Sequence, residues 1–251
     1  MVMTEHEHEQ GRADNRILYL DCGNSRCKYS MGERSGAWQD LEKALSAIDQ
    51  WQPDLVLIAT VSAFGANLLS ALEASGRHPV RQMAVENGLY DIRISYPDPS
   101  LYGIDRWLTL VATRGWQENV VVVDAGTALT IDALDSTGHH LGGYILPGLT
   151  LMRRALVNDT FALPEVNSSQ RMTPGHSTAD AIANGAVLAL GAAVSASVVQ
   201  FGLDPYRLVW TGGDASLLAA QPLLAGELRK DLVIDGMKIL YKDAAYMESL
   251  G

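Results

Sequence analysis

The chain has 251 residues, 47% hydrophobic and 19% charged, an ordinary globular composition sufficient for one large domain or two small ones. Its formal net charge of −10 argues against nucleic acid or an anionic membrane as partner, because both select basic surfaces. It leaves room for a small anion held by a few local donors. The only cysteines, Cys22 and Cys27, are too few for a disulfide framework, and a cytoplasmic location fits them.

Residues 1–15 are acidic and polar, without the apolar run of a secretory signal, and are expected to form a disordered tail. His6 and His8 alternate with glutamates there and read as solvated. Residues 17–21, ILYLD, predict a first strand, a turn at Gly23-Asn24-Ser25 follows, and CKYSMG predicts a second strand. Trp38 to Trp51 has helical spacing, with Leu41, Ala44, Leu45 and Ile48 on one face. The apolar run from Asp54 to Val61 suits a central strand covered on both faces, and Ala66 to Ser75 predicts a helix ended by Gly76. Residues 87–104, rich in Gly, Pro, Asp and Tyr, read as a functional loop region. Asp105 opens a helix to about Arg114. The pattern then restarts: a strand at Asn119–Asp124, a turn at Gly126-Thr127, a strand ALTIDAL, and a return strand near His140–Leu146. Ala181 to Val199 carries no charge but is dominated by small residues. That composition would insert weakly into a lipid bilayer, so the segment reads as a buried soluble helix, begun near Thr178 and Asp180, with a face suited to a subunit interface. A further glycine turn, Thr211-Gly212-Gly213-Asp214, follows the strand LVW. The tail thus ends at residue 15, and two α/β lobes are expected at 16–116 and 117–251.

Two loops share one chemistry. Asp21-Cys22-Gly23-Asn24 and Asp124-Ala125-Gly126-Thr127 each follow a buried-type strand. The glycine permits a sharp turn and close ligand approach, and successive amides with Asn24, Ser25 or Thr127 can donate to phosphate. Asp21 and Asp124 would need a cation or water between them and a phosphate. Either loop alone could be an ordinary turn, but the pair is the arrangement of the actin, hexokinase and Hsp70 superfamily, where two lobes clamp a nucleotide. A Walker loop and the protein-kinase motif set are absent from the sequence. In YPDPSLYGIDRW, Asp105 can be a helix cap or a base that accepts a hydroxyl proton, and Arg106 can grip a carboxylate in bidentate fashion. The segment GGYILPG, Gly142 to Gly148, shapes a pocket floor or is a plain turn. His78, His139, His140 and His176 lack metal-ligand spacing and read as surface or internally satisfied. Trp107, Trp116 and Trp210 read as core, and Arg153 and Arg154 as a solvated helix face.

In this order, DCGNSRCKYS, YPDPSLYGIDRW, VVVVDAGTALTID, GGYILPG, STADAIANG and WTGGDA resemble the type III pantothenate kinases over about residues 17–250. The resemblance implies an α/β, two-lobed actin-like ATPase fold built from two ribonuclease H-like units, and a cytoplasmic homodimer. It implies phosphorylation of pantothenate by ATP, the first step toward coenzyme A. By matching position, Asp105 is the catalytic base. Tyr96, Gly103, Ile104, Asp105, Arg106 and Thr178 line the pantothenate site. Asp21, Cys22, Gly23, Asn24, Ser25, Arg26, Cys27, Lys28 and Thr127 bind ATP. Asp124 holds a monovalent cation, potassium or ammonium, and Mg²⁺ accompanies the nucleotide. Cys22 and Ser25 depart from the residues many members carry, without loss of the needed chemistry. Two other readings share the motifs: a transcription accessory factor of the same family, and a kinase of another small hydroxylated carboxylate. The full set Asp21, Asp105, Asp124 and Thr127 favours the pantothenate kinase.

Overall fold

A computed structural model describes residues 16–158, 171–221 and 225–250, so the expected tail, with His6 and His8, lies outside the described residues. The strands are β1 (Ile17–Cys22), β2 (Cys27–Met31), β3 (Arg34–Trp38), β4 (Leu55–Thr60), β5 (Val80–Gln82), β6 (Val120–Ala125), β7 (Ala128–Leu134), β8 (His140–Pro147), β9 (Arg207–Thr211) and β10 (Glu227–Leu228). The helices are α1 (Leu41–Trp51), α2 (Ala63–Ser75), α3 (Ile104–Arg114), α4 (Leu149–Asn158), α5 (Thr178–Phe201), α6 (Ala215–Ala219), α7 (Leu232–Tyr241) and α8 (Ala244–Ser249).

The strands form two five-stranded sheets, β3-β2-β1-β4-β5 and β10-β9-β6-β7-β8. Read from the central strand, the two orders are the same. β1 pairs antiparallel with β2 and parallel with β4, while β6 pairs antiparallel with β7 and parallel with β9. The shared Asp-x-Gly pattern is therefore matched by shared topology, with Asp21 and Asp124 each one residue from the end of the central strand. The short strands β3 and β5 were not foreseen, because neither carries an apolar run. β3 is mostly exposed.

The chain divides into two compact units. One takes the chain up to Glu86, Ser100–Ala112 and Val233–Gly251, and the other takes Asn87–Pro99 and Thr113–Leu232. The expected junction near residue 116 lies between the last strand of one sheet and the first of the other. The units depart from it where the chain returns. Val233–Gly251 joins the first unit because Gly236 of α7 lies against the Leu108 backbone and Tyr246 of α8 against the Trp107 ring, centroids 5.9 Å apart. Asn87–Pro99 joins the second because Arg93 bridges to His139 in parallel fashion.

Each unit has its own core. In the first, Leu18, Leu20, Val56 and Ile58 pack against Ile48, Leu68 and Leu72 of α1 and α2. Asp40 and Ser62 cap these helices, accepting from Lys43 N and Gly65 N, and Gly76 closes α2 in a left-handed conformation, as expected of it. In the second, β6, β7 and β9 pack against Ala186, Val187, Leu190 and Val194 of α5. This 24-residue helix is long and apolar enough to cross a membrane, but one of its faces is committed to that core. Leu188 and Val199 on it are 51% and 76% exposed.

The Tyr246 hydroxyl donates to Ala84 O at 2.7 Å and accepts from Ala84 N at 3.0 Å. Burial pushes its pKa up to about 12; the Ala84 amide opposes the shift and Glu86 adds to it. An unfolded tyrosine ionises near 10, so this contribution is complete below about pH 10 and is lost as pH rises through the folded value. Tyr246→Phe should cost about 1–2 kcal/mol at pH 8. In urea unfolding, the gap between wild type and variant should shrink by pH 11.5. A gap of constant size across that range would mean that the phenol is not ionising as its burial requires.

Candidate active site

In the first unit, β1 and β2 present the Asp-x-Gly loop. Asp21 stands directly opposite Lys28, and Cys22 opposite Cys27. Successive strand residues alternate faces, so the two pairs face opposite ways. Both cysteines are fully buried in the core and joined to each other by a disulfide. Two cysteines, too few for a framework, thus form one local link. Their burial confines any phosphate contact by residues 22 and 27 to their backbones. The intervening Asn24, Ser25 and Arg26 are exposed. The Cys22 carbonyl, where the loop begins, accepts from Ser62 Oγ at 3.0 Å and Val61 N at 3.3 Å, which ties the loop to the entry of α2.

The same unit carries the start of α3. Trp107 N–H donates to Gly103 O at 3.0 Å, so the helix begins on Gly103. Asp105 falls in the first turn, and its Oδ1 accepts from Arg106 N at 2.8 Å. A Cβ on residue 103 would lie 2.7 Å from that oxygen, so the carboxylate folds back over the glycine. Ile104 is buried among core residues. Arg106 is also buried, its guanidinium 4.6 Å from the centre of the Tyr102 ring. Stacking on an aromatic face fixes the plane of the guanidinium, whose fork geometry matches a planar anion.

In the second unit, three separate motifs meet at Asp124. The β6–β7 turn is closed by Gly126 N donating to Ala128 O at 3.0 Å. It is tighter than the first loop, with two residues between the strands instead of four. The end of β8 rests on it: Gly148 N donates to Thr127 O at 2.9 Å, and a Cβ at 148 would come within 2.3 Å of Gly126 O. The Thr211–Asp214 turn covers the other side. Gly212 has φ +93, a Cβ on it would lie 2.4 Å from Asp124 Oδ1, and Asp214 N donates to Ala125 O at 2.9 Å. Glycines at 126, 148 and 212 thus keep bulk away from one carboxylate and one backbone turn. A cation at Asp124 would draw its other ligands from carbonyls, water or phosphate oxygens. Among the described residues, no group of three or more His, Cys, Asp and Glu could cage a metal.

Thr178 is the first residue of α5, after Ser177, whose hydroxyl accepts from Asp180 N at 3.1 Å. It is exposed and lines a groove of about 640 Å³ with Pro147, Leu151, Met152, Ile182 and Gly185. Tyr96 is half-buried, its ring 6.4 Å from that of His140. His140 is the internally satisfied kind of histidine, buried with its Nε2 3.0 Å from Asp132 Oδ1, while the contacts of Gly148 and Gly212 with the Asp124 turn have no local sequence signal beyond the glycines themselves. Trp107 and Trp210 are core residues as expected. Trp116 is not. It is half-buried, and its ring carries the guanidiniums of Arg207 and Arg229 at 4.1 and 5.7 Å.

Two sheets of one strand order, each with an Asp-x-Gly hairpin at the end of its central strand, define the actin-like class that includes small-molecule kinases. A Sinorhizobium meliloti protein assigned as a 2-dehydro-3-deoxygalactonokinase has the same fold, with a TM-score of 0.51 at 14% identity, covering 89% of this chain and 97% of its own. So does a Campylobacter jejuni protein assigned to the Baf family of transcriptional activators, with a TM-score of 0.63 at 24% identity and coverage of 91% and 98%. The family model for type III pantothenate kinases matches residues 17–200. Type III pantothenate kinases of Laribacter hongkongensis and Marinobacter nauticus are 36% and 35% identical, each match covering 88% of this chain and 96% of the relative. The chain belongs to the type III pantothenate kinase family.

Proposed function

We propose that the protein transfers the γ-phosphoryl group of ATP to pantothenate, giving 4′-phosphopantothenate and ADP, the first step of coenzyme A biosynthesis. The near full-length match to relatives named for this activity carries the proposal. The intact set Asp21, Asp105, Asp124 and Thr127 supports it.

Phosphoryl transfer asks a protein chiefly for positioning and charge neutralisation. The loop from Asp21 through Lys28 and the Thr127 turn supply amides and hydroxyls for the phosphates. Lys28, on the same face as Asp21, supplies positive charge. Asp105 accepts the proton of the pantothenate hydroxyl as it attacks phosphorus. Arg106, stacked on Tyr102, receives the substrate carboxylate, with Tyr96, Gly103, Ile104 and Thr178 as further lining. Asp124 takes potassium or ammonium, and the carboxylate sheltered by Gly126 and Gly212 fits a single weakly held cation. Mg²⁺ arriving with ATP would neutralise charge on its phosphate oxygens. A second copy of the chain covers the exposed face of α5 in a two-fold homodimer, which would bury Leu188 and Val199. The enzyme works in the cytoplasm, away from membrane and nucleic acid.

The test is a coupled ADP-release assay with Mg-ATP, with and without pantothenate, in potassium and then sodium buffer, on protein whose mass is read by light scattering. Pantothenate-dependent release that needs potassium, from a dimer, is expected. A folded protein that releases no ADP in either salt would overturn the reading in favour of a regulator or another substrate.

A further inference from the structure

Resting on that reading and deepening it, we propose that His140, held by Asp132, is a positioning residue that sets the Ser95–Tyr96 segment of the pantothenate site.

The segment before Tyr96 is laid along the start of β8 one amide at a time. Arg93 N donates to Gly138 O at 2.9 Å, and Arg93 O accepts from His140 N at 2.9 Å. Ile94 N donates to Asn87 Oδ1 at 2.8 Å. At Ser95 the partner becomes the imidazole: Nδ1 of His140 lies 3.5 Å from Ser95 N and 3.2 Å from Ser95 Oγ. The ring thus continues by side chain a ladder that the backbone of β8 begins, and Tyr96 comes next.

The imidazole is fixed from behind. His140 is 0% exposed, and its Nε2 lies 3.0 Å from Oδ1 of Asp132, itself 2% exposed. A carboxylate only accepts, so a ring hydrogen sits on Nε2, and in the neutral ring the single lone pair of Nδ1 faces Ser95, whose hydroxyl at 3.2 Å is the nearer donor. The strand register is altered to bring this about. Asp132 stands opposite Gly143 and Ala133 opposite Gly142, but Leu134 stands opposite His140, so Leu141 is an extra residue in β8. By simple alternation residue 140 would face away from Asp132. The bulge turns it onto the same face. An apolar pair of similar volume would pack such a site without the desolvation cost of a carboxylate. What the pair adds is a directed acceptor beneath Ser95.

The experiment compares wild type, His140→Ala and Ser95→Ala. The readouts are KM for pantothenate, KM for ATP, and hydrogen exchange of the peptide spanning Ser95. His140→Ala is expected to raise KM for pantothenate by about 10-fold to 100-fold while KM for ATP stays within about twofold, with faster exchange at Ser95. A general loss of fold would move both constants together. His140→Gln, which can restore an acceptor or a donor, should recover part of the loss. A pantothenate KM within about twofold of wild type in folded His140→Ala would overturn the proposal. If that variant does not fold, Ser95→Ala decides: this exposed residue should still raise pantothenate KM severalfold, and no change sinks the idea. If wild type itself fails to turn over pantothenate, the proposed function falls, and the exchange rate at Ser95 alone decides whether His140 holds the segment.

Discussion

Asp105→Asn should lower kcat/KM for pantothenate phosphorylation by about 100-fold to 10,000-fold, while the fold and the urea midpoint stay near wild type. Asp105 invites two readings because the first turn of a helix is where carboxylates also act as caps. The geometry separates them. Oδ1 of Asp105 accepts from Arg106 N at 2.8 Å, and the asparagine carbonyl can accept that bond equally well. Asparagine therefore keeps this first-turn hydrogen bond and loses the base. Asp105→Ala loses both and should show the same fall in rate, with an added loss of stability of about 0.5–1.5 kcal/mol for the missing hydrogen bond. Steady-state kinetics with denaturant unfolding on the two variants distinguishes the roles. If Asp105→Asn turns over within tenfold of wild type, the carboxylate serves only the first turn of the helix and the base lies elsewhere.

What the sequence disclosed, and what it hid, follows from the range of the forces involved. The strands β1, β4 and β6 were legible because a strand buried on both faces must be a continuous apolar run. The helices α2 and α5 were legible through spacing, caps and Gly76. The Asp-x-Gly loops were legible because turn chemistry is local. The partners of those loops were not. Gly148 and Gly212 look like any turn glycine until β8 and β9 are laid beside β6, and only then does each prove to touch the Asp124 turn. His140 read as a bland histidine for the same reason. Its meaning lies in a one-residue bulge that brings it onto Asp132, and no periodicity in the sequence marks that shift. Cys22 and Cys27 belong to the first loop by sequence, and the alternation that presents Asp21 and Lys28 on one face places both cysteine side chains on the other. Trp116 misled in the opposite sense. Its aromatic bulk suggested core, but two arginines from β9 and the segment after β10 claim its face. Likewise, the return of Val233–Gly251 to the first unit depends on contacts of Gly236 and Tyr246 with α3, far away in sequence.

Gly212→Ala should be among the most damaging single-methyl changes in the second unit. Two costs combine. The backbone at φ +93 is a region that a Cβ disfavours, by roughly 1 kcal/mol or more. The added carbon would also stand 2.4 Å from Asp124 Oδ1 and 2.6 Å from the Ala125 carbonyl carbon and oxygen. A flexible side-chain tip could step aside, but the Ala125 carbonyl is held by Asp214 N at 2.9 Å and sits at the end of a central strand. Relief therefore requires the Asp124 turn to move, and with it the proposed cation site. Gly76→Ala is the control. It has φ +58 at the C-terminus of α2, and nothing lies within 4 Å of where its Cβ would be. It should cost only the backbone strain, about 1 kcal/mol, and leave kinetics unchanged. Gly212→Ala should cost about 2–4 kcal/mol, raise KM for ATP by tenfold or more and blunt the response to potassium. Stability, ATP saturation and potassium titration on the two variants give the comparison. If Gly212→Ala matches Gly76→Ala in stability and leaves ATP saturation untouched, Asp124 does not depend on the glycine turn that borders it, and the convergence of motifs at that carboxylate has no bearing on nucleotide binding.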